Sequence, residues 1–257
     1  MGALIRHVWR SRDLVRILAR KDFFVRYRRA SFGLMWAVAL PLVQAIVLSL
    51  VLRQIARFGT GIPLAVFVFS GVLPWSLFSS SVEQGAAAIV GGQDVAAQVY
   101  FPRAVLPLTA VASNVYAFVP GIAILVLIAA VQRAPLGVEL LLLVPASALL
   151  VVLAASFALP LSALQVYFRD VRYIIAALMT PWYWGSAVFY PLEQTGNLAR
   201  WIEINPVVGV VQMFHAAVGA PVSWTRPALI TLAWAAVLLV AGAALHRRYD
   251  RVFVDLL

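Results

Sequence analysis

The side chains that most often carry catalysis are few in this sequence and far apart. Its three histidines are His7, His215 and His246, and none belongs to an HExxH pair of zinc ligands. There is no cysteine, which excludes a thiol nucleophile, a disulfide and a Cys-ligated zinc site. The GxSxG turn of many serine hydrolases is also missing. We therefore predict no catalytic residue and no metal site.

A nucleotide-binding loop is missing as well. Lys21 is the only lysine among the 20 basic residues, and no glycine-rich segment precedes it. A P-loop needs the pattern GxxxxGK[ST], in which backbone amides and the lysine hold the phosphates. We therefore predict no cofactor in this chain. If ATP drives the protein, a separate partner subunit binds the ATP and its Mg²⁺.

The composition is that of a membrane protein. Apolar residues make up 63% of the 257 residues, and the mean hydropathy is +0.94. Soluble domains reach about 45–50% even when glycine is counted as apolar. We predict an all-α integral membrane protein. The net charge is +10, and nine of the 20 basic residues precede residue 34. We attribute this charge to membrane topology and predict no nucleic-acid partner.

Six segments are apolar and long enough to cross a bilayer, which takes about 20 residues. A further apolar run, 207–218, fits a re-entrant hairpin within 191–226 better than a crossing. We predict one domain over residues 1–257, with a membrane region at 34–246 and a tail at 247–257. The predicted spans are 34–52, 62–82, 104–131, 138–164, 174–190 and 228–245.

Residues 1–33 form a basic segment before the first span. Val15, Leu18 and Ala19 share one helical arc, with Asp13 and Lys21 opposite them. This pattern predicts an amphipathic helix lying on the membrane surface, held by its apolar face and by anionic headgroups. The scattered charges leave no apolar run typical of a signal peptide, so we expect the segment to remain in the mature protein.

The distribution of basic residues predicts the orientation. Six spans place both termini on one side, and with the termini inside, inward segments hold 15 basic residues and outward segments five. An excess of Lys and Arg in short loops marks the cytoplasmic side. We therefore predict that both termini are cytoplasmic.

The predicted spans contain almost no charge, which bears on the energy source. The acidic residues Glu83, Glu139, Asp170, Glu193 and Glu203 lie near span ends. Ion-coupled carriers usually place ionisable residues within the membrane, where such residues are costly unless functional. This pattern favours energy supplied from outside the membrane.

Residues 83–107 form a small, glycine-broken segment between the second and third spans. It is weakly charged and lies on the predicted cytoplasmic side. We predict an elbow on which a partner outside this chain pushes. The elbow itself ends at residue 103, and we expect Pro107, just after it, to kink its helix and to transmit the movement.

Three segments resemble, in the right order, the permease subunits of ABC-2 type exporters, particularly those that move lipid-linked polysaccharides. The first, 99–108, reads VYFPRAVLPL and is similar to the loop after their second membrane helix. The second, 167–175, carries the Phe-Arg-Asp step that leads into their fifth helix. The third contains aromatic residues, Tyr190-Pro191 and Asn205-Pro206. Ser186-Ala187 replaces the common Ser-Pro, and His215 stands where arginine is frequent.

The resemblance implies a bacterial cytoplasmic-membrane permease that works as a homodimer with two ABC ATPase subunits. Its substrate would be a lipid-linked polysaccharide moved outward, and its other partners would be membrane lipids. The elbow would then be the ATPase-coupling loop, and residues 191–220 would frame the outer exit. The implied coupling residues are Gln84, Gly91, Gly92, Gln93, Asp94, Gln98 and Arg103.

Each of two further groups of residues has two possible roles. Arg169, Asp170 and Arg172 form an inner-interface motif that pairs with a neighbouring loop, or Asp170 simply caps the following helix. A set of aromatic residues either lies at the membrane interface or lines a conduit in which sugar rings stack on aromatic faces. These residues are Trp75, Phe78, Tyr116, Phe118, Trp182, Tyr183, Trp184 and Tyr190.

Two alternative functions stay open from the sequence. One is a small-molecule or drug efflux permease of the same ABC-2 fold. The other is a membrane-embedded enzyme that modifies lipid-linked glycans, against which the missing intramembrane acid or metal site argues.

Overall fold

The computed structural model describes residues 11–28, 32–55, 59–92 and 101–249. Within these ranges the chain is helical, without strands, as predicted. Short 3₁₀ helices lie at Gly33–Met35, Val138–Leu142 and Leu192–Leu198. The α-helices are α1 Arg12–Tyr27, α2 Trp36–Ile55, α3 Leu64–Gly91, α4 Val105–Val131, α5 Leu143–Tyr167, α6 Val171–Trp184, α7 Ala199–Ile202, α8 Val208–Ala217 and α9 Thr225–Tyr249.

Five of the described helices are long and apolar enough to cross a membrane. They are α2, α3, α4, α5 with the 3₁₀ turn before it, and α9, each at least 20 residues long. At 1.5 Å per residue such a helix spans the hydrocarbon core of about 30 Å. The predicted span 174–190 corresponds instead to α6, which has 14 residues. The sixth crossing and the re-entrant hairpin are therefore not confirmed.

The helix that contains the second predicted span extends beyond its predicted end, residue 82. Helix α3 continues to Gly91, so the first half of the predicted elbow is helical. Gly85 packs against Ala158 of α5, and Ala86 and Ile89 are buried. Packing against α5 therefore keeps this segment helical despite its glycine and polar residues, because tertiary contacts override local propensity.

Helix α3 lies at the centre of the bundle and packs against α2, α4, α5, α6 and α8. Its small residues let the neighbouring chains approach closely, as in many membrane helix pairs. Gly71 lies directly against the backbone of Val188, in the segment that follows α6. Helix α2 is the opposite case, because most of its apolar side chains, such as Leu40, Val47 and Leu50, are exposed.

The structure changes the expected role of Pro107. This residue is the third of α4, where the backbone N–H would have no partner inside the helix, so a proline there causes no kink. Pro107 therefore begins the helix that it was predicted to bend. Pro120, by contrast, lies in the interior of α4.

Helix α1 is amphipathic, as predicted for the segment before the first span. It buries Ala19 and Phe23, and the ring of Phe23 stacks on Tyr116 of α4 with centroids 5.6 Å apart. Its exposed face carries Arg12, Arg16 and other charged residues. The apolar face therefore holds α1 against α4.

Candidate functional site

A polar cluster joins α1, α3 and α4 at one end of the bundle. We call it the Arg26 cluster, and it consists of Asp22, Arg26, Ser81, Gln84, Ser113 and Asn114. Arg26 Nη1 donates to Asn114 Oδ1 at 3.0 Å, and Arg26 Nη2 donates to Gln84 Oε1 at 2.7 Å. Arg26 Nη2 also pairs with Asp22 Oδ2 at 2.9 Å. One guanidinium therefore connects all three helices.

The other members of the cluster complete the connections. Ser113 Oγ donates to Asp22 Oδ2 at 2.7 Å. Asn114 Nδ2 lies 3.2 Å from Gln84 Oε1 and 3.3 Å from Ser81 Oγ. Asn114 is only 5% exposed, so its amide depends on these partners.

Helical spacing explains how the cluster forms. Asp22 and Arg26 are four residues apart on α1 and therefore share a face. Their side chains are 31–49% exposed, so the ion pair itself contributes little. The hydrogen bonds from the charged Arg26 to Gln84 and Asn114 are the stronger contacts, because charge-assisted bonds exceed neutral ones.

The described end of the elbow also packs on α1. Phe101, Val105 and Leu106 form an apolar cluster with side chains of α1, among them Leu14 and Leu18.

Of the predicted coupling residues, Arg103 is buried with its guanidinium 5.8 Å from the Phe101 ring. Gly91 ends α3 and Gly92 follows it. Gln93, Asp94 and Gln98 lie outside the described residues. Both ends of the elbow therefore join α1, one through Gln84 and one through Phe101.

A groove and a cavity lie on the two sides of Arg26. The groove, of about 450 Å³, runs between α1 and the elbow end of α3, from Lys21 to Gly91 and Gly92. The cavity, of about 290 Å³, opens toward α2. Its wall combines apolar residues with Arg26, Tyr27, Gln44, Ser76, Ser79, Ser80 and Asn114. Hydroxyl, amide and guanidinium groups of this kind can hydrogen-bond to sugar hydroxyls or phosphate oxygens.

The inner-interface motif lies away from this cluster, at the start of α6. Arg169, Asp170 and Arg172 are all exposed. Asp170 holds the N-cap position without a side-chain cap bond, and its carbonyl accepts from the Tyr173 and Ile174 amides. The structure therefore gives no side-chain capping by Asp170. Arg172 lies 4.5 Å from the centroid of the Tyr173 ring.

Five of the eight predicted conduit aromatics pack against one another. Trp75, Phe78, Trp182 and Tyr183 form one cluster of rings, with centroids 5.3–6.4 Å apart. Such edge-to-face and tilted contacts stabilise helix packing. Trp184 contacts Tyr183 at the edge of this cluster, with ring centroids 6.4 Å apart, and the other three have different partners. Tyr116 stacks on Phe23, Phe118 contacts Phe214, Trp184 is exposed, and Tyr190 donates to the Trp184 carbonyl.

Within the described residues no three His, Asp or Glu side chains come close enough to hold a metal ion.

Comparison with known proteins identifies the family. The profile of the ABC-2 type transporter family matches residues 13–219, most of the chain. The chain belongs to the ABC-2 type transporter family.

Curated relatives of this ABC-2 family member include several exporters. It is 30% identical over 222 residues to the O-antigen export system permease protein RfbA of Myxococcus xanthus, covering 84% of each chain. It is 24% identical over 202 residues to the protein of the same name from Klebsiella pneumoniae, covering 77% of each. The polysialic acid transport protein KpsM of Escherichia coli is 25% identical over 255 residues, which is 93% of this chain and 95% of the relative.

In this ABC-2 protein, His215 and Asn205 join the segments at the opposite end of the bundle. The buried His215 ring stacks on Phe67 with centroids 3.9 Å apart. Its Nδ1 lies 2.9 Å from Ser70 Oγ, and its Nε2 lies 3.3 Å from the Ala187 carbonyl. His215 therefore fastens α8 to α3 and to the segment after α6. These are the contacts of a structural residue.

Asn205 holds the end of α6 to the start of α8 through four hydrogen bonds. Its Oδ1 accepts from Trp182 Nε1 and the Val207 amide, and its Nδ2 donates to the Gly185 carbonyl and Ser186 Oγ. We expect Asn205→Ala to lower the free energy of unfolding by about 2 kcal/mol, because partly buried groups lose their partners. Thermal unfolding in detergent measures this.

Two matched variants make the Asn205 prediction specific. Asn205→Asp keeps the two accepted bonds but places a carboxylate oxygen against the Gly185 carbonyl oxygen, so it should destabilise the protein at least as much as the alanine variant does. Asn197, an exposed asparagine of the same segment between α6 and α8, provides the control, and Asn197→Ala should leave stability unchanged. An Asn205→Ala protein as stable as the wild type would contradict the assigned role.

Sequence reasoning missed the Arg26 cluster. Its hydrogen-bonded members are separated by up to 91 residues, so no local pattern connects them. One signal was present, because Asn114 is a polar residue inside a predicted span. Polar groups in a membrane usually have a functional or structural partner.

Proposed function

We propose that this chain is the membrane permease subunit of an ATP-driven ABC exporter, which moves a lipid-linked polysaccharide from the cytoplasmic to the outer side. The observation that carries the proposal is the 30% identity, over 84% of each chain, to an O-antigen export permease. The polar cavity beside Arg26 supports it, since hydroxyl and guanidinium groups suit a sugar-phosphate substrate.

The permease would work as a homodimer with two ATPase subunits that bind the ATP and Mg²⁺. Helix α2 is the least buried of the five candidate spans, so its apolar face with Leu50, together with that of α6 with Leu178, leaves room for a second copy. The side chain of Tyr183 of α6 lies beside Gln44 of α2, so the two helices are neighbours in the bundle. The conduit would run between the two copies, with the exposed Trp184 near it.

The elbow and α1 would receive the push of the ATPase. Movement at the elbow reaches α1 through Phe101 and Leu106 and reaches α3 and α4 through the Arg26 cluster. The three helices would then shift together relative to α2, changing the size of the cavity between them. This step couples ATP binding outside the chain to substrate entry inside it.

The finer topology is part of the proposal. The short α6 and residues 185–190 would make the sixth crossing, and residues 191–224 with α8 would form a re-entrant hairpin at the outer exit. The ten-residue α8 is too short to cross, which supports this arrangement. Both termini would lie in the cytoplasm, and the membrane would be the bacterial cytoplasmic membrane.

Reconstitution with its partner tests the proposed function. The chain should co-purify with an ATPase subunit encoded near its own gene, and proteoliposomes containing both should move a lipid-linked polysaccharide when ATP is added. The chain alone should neither hydrolyse ATP nor transport. A partner that lacks its P-loop lysine is the matched control and should assemble without transport.

Two results would contradict this function. Transport by the chain alone would show that no separate ATPase subunit supplies the energy. Depletion that leaves the cell's glycans normal while altering drug tolerance would show an efflux permease, whereas accumulated lipid-linked polymer inside the cell is the expected result.

A further inference from the structure

A third groove, separate from the Arg26 cluster, runs between α1, α4 and α5. Its volume is about 720 Å³ and it is open to the outside. Its wall is apolar along most of its length, because Val111, Val115 and Val119 follow one face of α4 at intervals of four residues. Val151 and Ala155 of α5 form the opposite side. Small and β-branched side chains on both helices leave a furrow between them.

The groove is basic at one end. Arg12 and Arg16 line it from α1, four residues apart and both exposed. Among the residues that line the groove none is acidic. A ligand that fills it must therefore combine an apolar body with a negative group.

In the proposed orientation, the basic end of the groove lies near the membrane surface and its apolar part lies deeper. Val15, next to Arg16, packs with Val105 and Leu106 at the elbow end of α4, whereas Phe23 reaches Tyr116 further along. The two arginines therefore lie near the membrane surface, and the groove descends from them toward Val119 and Pro120. From Leu108 to Pro120 a helix rises roughly 18 Å. This length is close to one leaflet of a hydrocarbon core that is about 30 Å thick.

We propose that this groove binds an anionic diacyl phospholipid of the cytoplasmic leaflet. The phosphate lies between Arg12 and Arg16, and an acyl chain lies along Val111, Val115 and Val119. The proposal rests on the orientation proposed above, with α1 on the cytoplasmic side. A free phosphate would leave the apolar furrow empty, whereas a phospholipid occupies both parts. The bound lipid would cover the seam between α1 and the spans and hold α1 against α4.

Native mass spectrometry of the full chain tests the site. The protein is released from micelles that contain equal amounts of phosphatidylglycerol and phosphatidylcholine, and the ratio of the two retained lipids is measured. We expect retention of phosphatidylglycerol to exceed that of phosphatidylcholine. Arg16→Ala should lower the ratio about fivefold, which corresponds to ~1 kcal/mol for one basic residue near an anionic headgroup. Arg12→Ala with Arg16→Ala should lower it further.

Two control variants distinguish binding in this groove from a general attraction of anionic lipids to the basic surface of α1. Arg20 lies one turn further on α1 and does not line the groove, so Arg20→Ala should leave the ratio unchanged. Ala112→Phe fills the furrow and should lower retention of phosphatidylglycerol, whereas Val237→Phe on the exposed face of α9 should not. The Arg16 variant changes only an exposed side chain and keeps the test valid if Ala112→Phe does not fold.

Several outcomes would overturn the assignment. Equal losses for Arg16→Ala and Arg20→Ala would mean diffuse surface attraction. An unchanged lipid ratio with an altered oligomeric state in Ala112→Phe would mean that a second copy covers the groove. Displacement of phosphatidylglycerol by an equimolar polyprenyl phosphate would assign the groove to the substrate carrier. Because lipid binding is measured without ATP, its failure is distinct from failure of the transport function.

Discussion

Replacing Arg26 with alanine is expected to lower ATP-driven transport at least tenfold while the chain still inserts into the membrane. Arg26 donates to Gln84 on α3 and to Asn114 on α4, so the variant removes the charged hydrogen bonds from α1 to both helices while the apolar packing of α1 on α4 remains. Hydrogen bonds to charged groups contribute about 1.5–3 kcal/mol, and a factor of ten corresponds to about 1.4 kcal/mol. Transport is measured per ATP hydrolysed in proteoliposomes that contain the partner ATPase.

Other variants at the same helix separate coupling from charge. Arg20 has an exposed side chain with its guanidinium 5.8 Å from the Phe24 ring, and Arg20→Ala should leave transport per ATP unchanged. Arg26→Lys should restore only part of the activity, because a lysine cannot reproduce the planar fork of donors. If Arg26→Ala transports as efficiently as the wild type, the Arg26 cluster does not carry the movement.

The contribution of the pair can be isolated with Asn114. In a double-mutant cycle, Arg26→Ala and Asn114→Ala should show an interaction energy in unfolding of at least about 0.5 kcal/mol, because the two residues are in contact. Additive effects would place the loss of transport elsewhere in the chain. The cycle therefore checks the physical basis of the first prediction.

The membrane class and most span positions could be predicted from the sequence because the bilayer imposes one length on every crossing. Helix α4 ends at Val131, as predicted, and begins one residue from the predicted start. These helix bounds follow from the uncharged runs of the sequence, and predicting them requires no knowledge of the neighbouring helices. The sequence does not show how far a helix continues beyond its span where neighbouring helices decide this. Helix α3 continues past Glu83 because Ala158 of α5 receives Gly85, a contact that no local pattern contains.

The candidate site was harder to predict for the same reason. The aromatic residues were recognised as a group, but hydropathy does not say that Trp75 and Trp182 pack against each other from different helices. Gln84 was predicted on the elbow, whereas its partner Arg26 lay among nine basic residues that looked alike. Residue types are visible in a sequence, and pairing between distant helices is not.

Gly71→Ala is expected to be the most destabilising small substitution in the bundle, with a loss near 3 kcal/mol in the free energy of unfolding. A Cβ at this position would overlap the backbone carbonyl of Val188, which cannot turn aside as a flexible side chain can. The segment after α6 would have to move away from α3. That shift would strain His215, which bonds to Ser70 on one side and to the Ala187 carbonyl on the other. Thermal unfolding in detergent measures the loss.

Gly91 provides the matched control on the same helix. A Cβ there would meet no atom within 4 Å, so Gly91→Ala should leave stability unchanged or raise it by about 0.4–1 kcal/mol through the lower entropy of the unfolded chain. A Gly71→Ala protein as stable as Gly91→Ala would mean that the segment 185–190 is not held against α3. Because this contact holds the proposed outer hairpin on the central helix, its loss should open the outer end of the bundle and leave the Arg26 cluster intact.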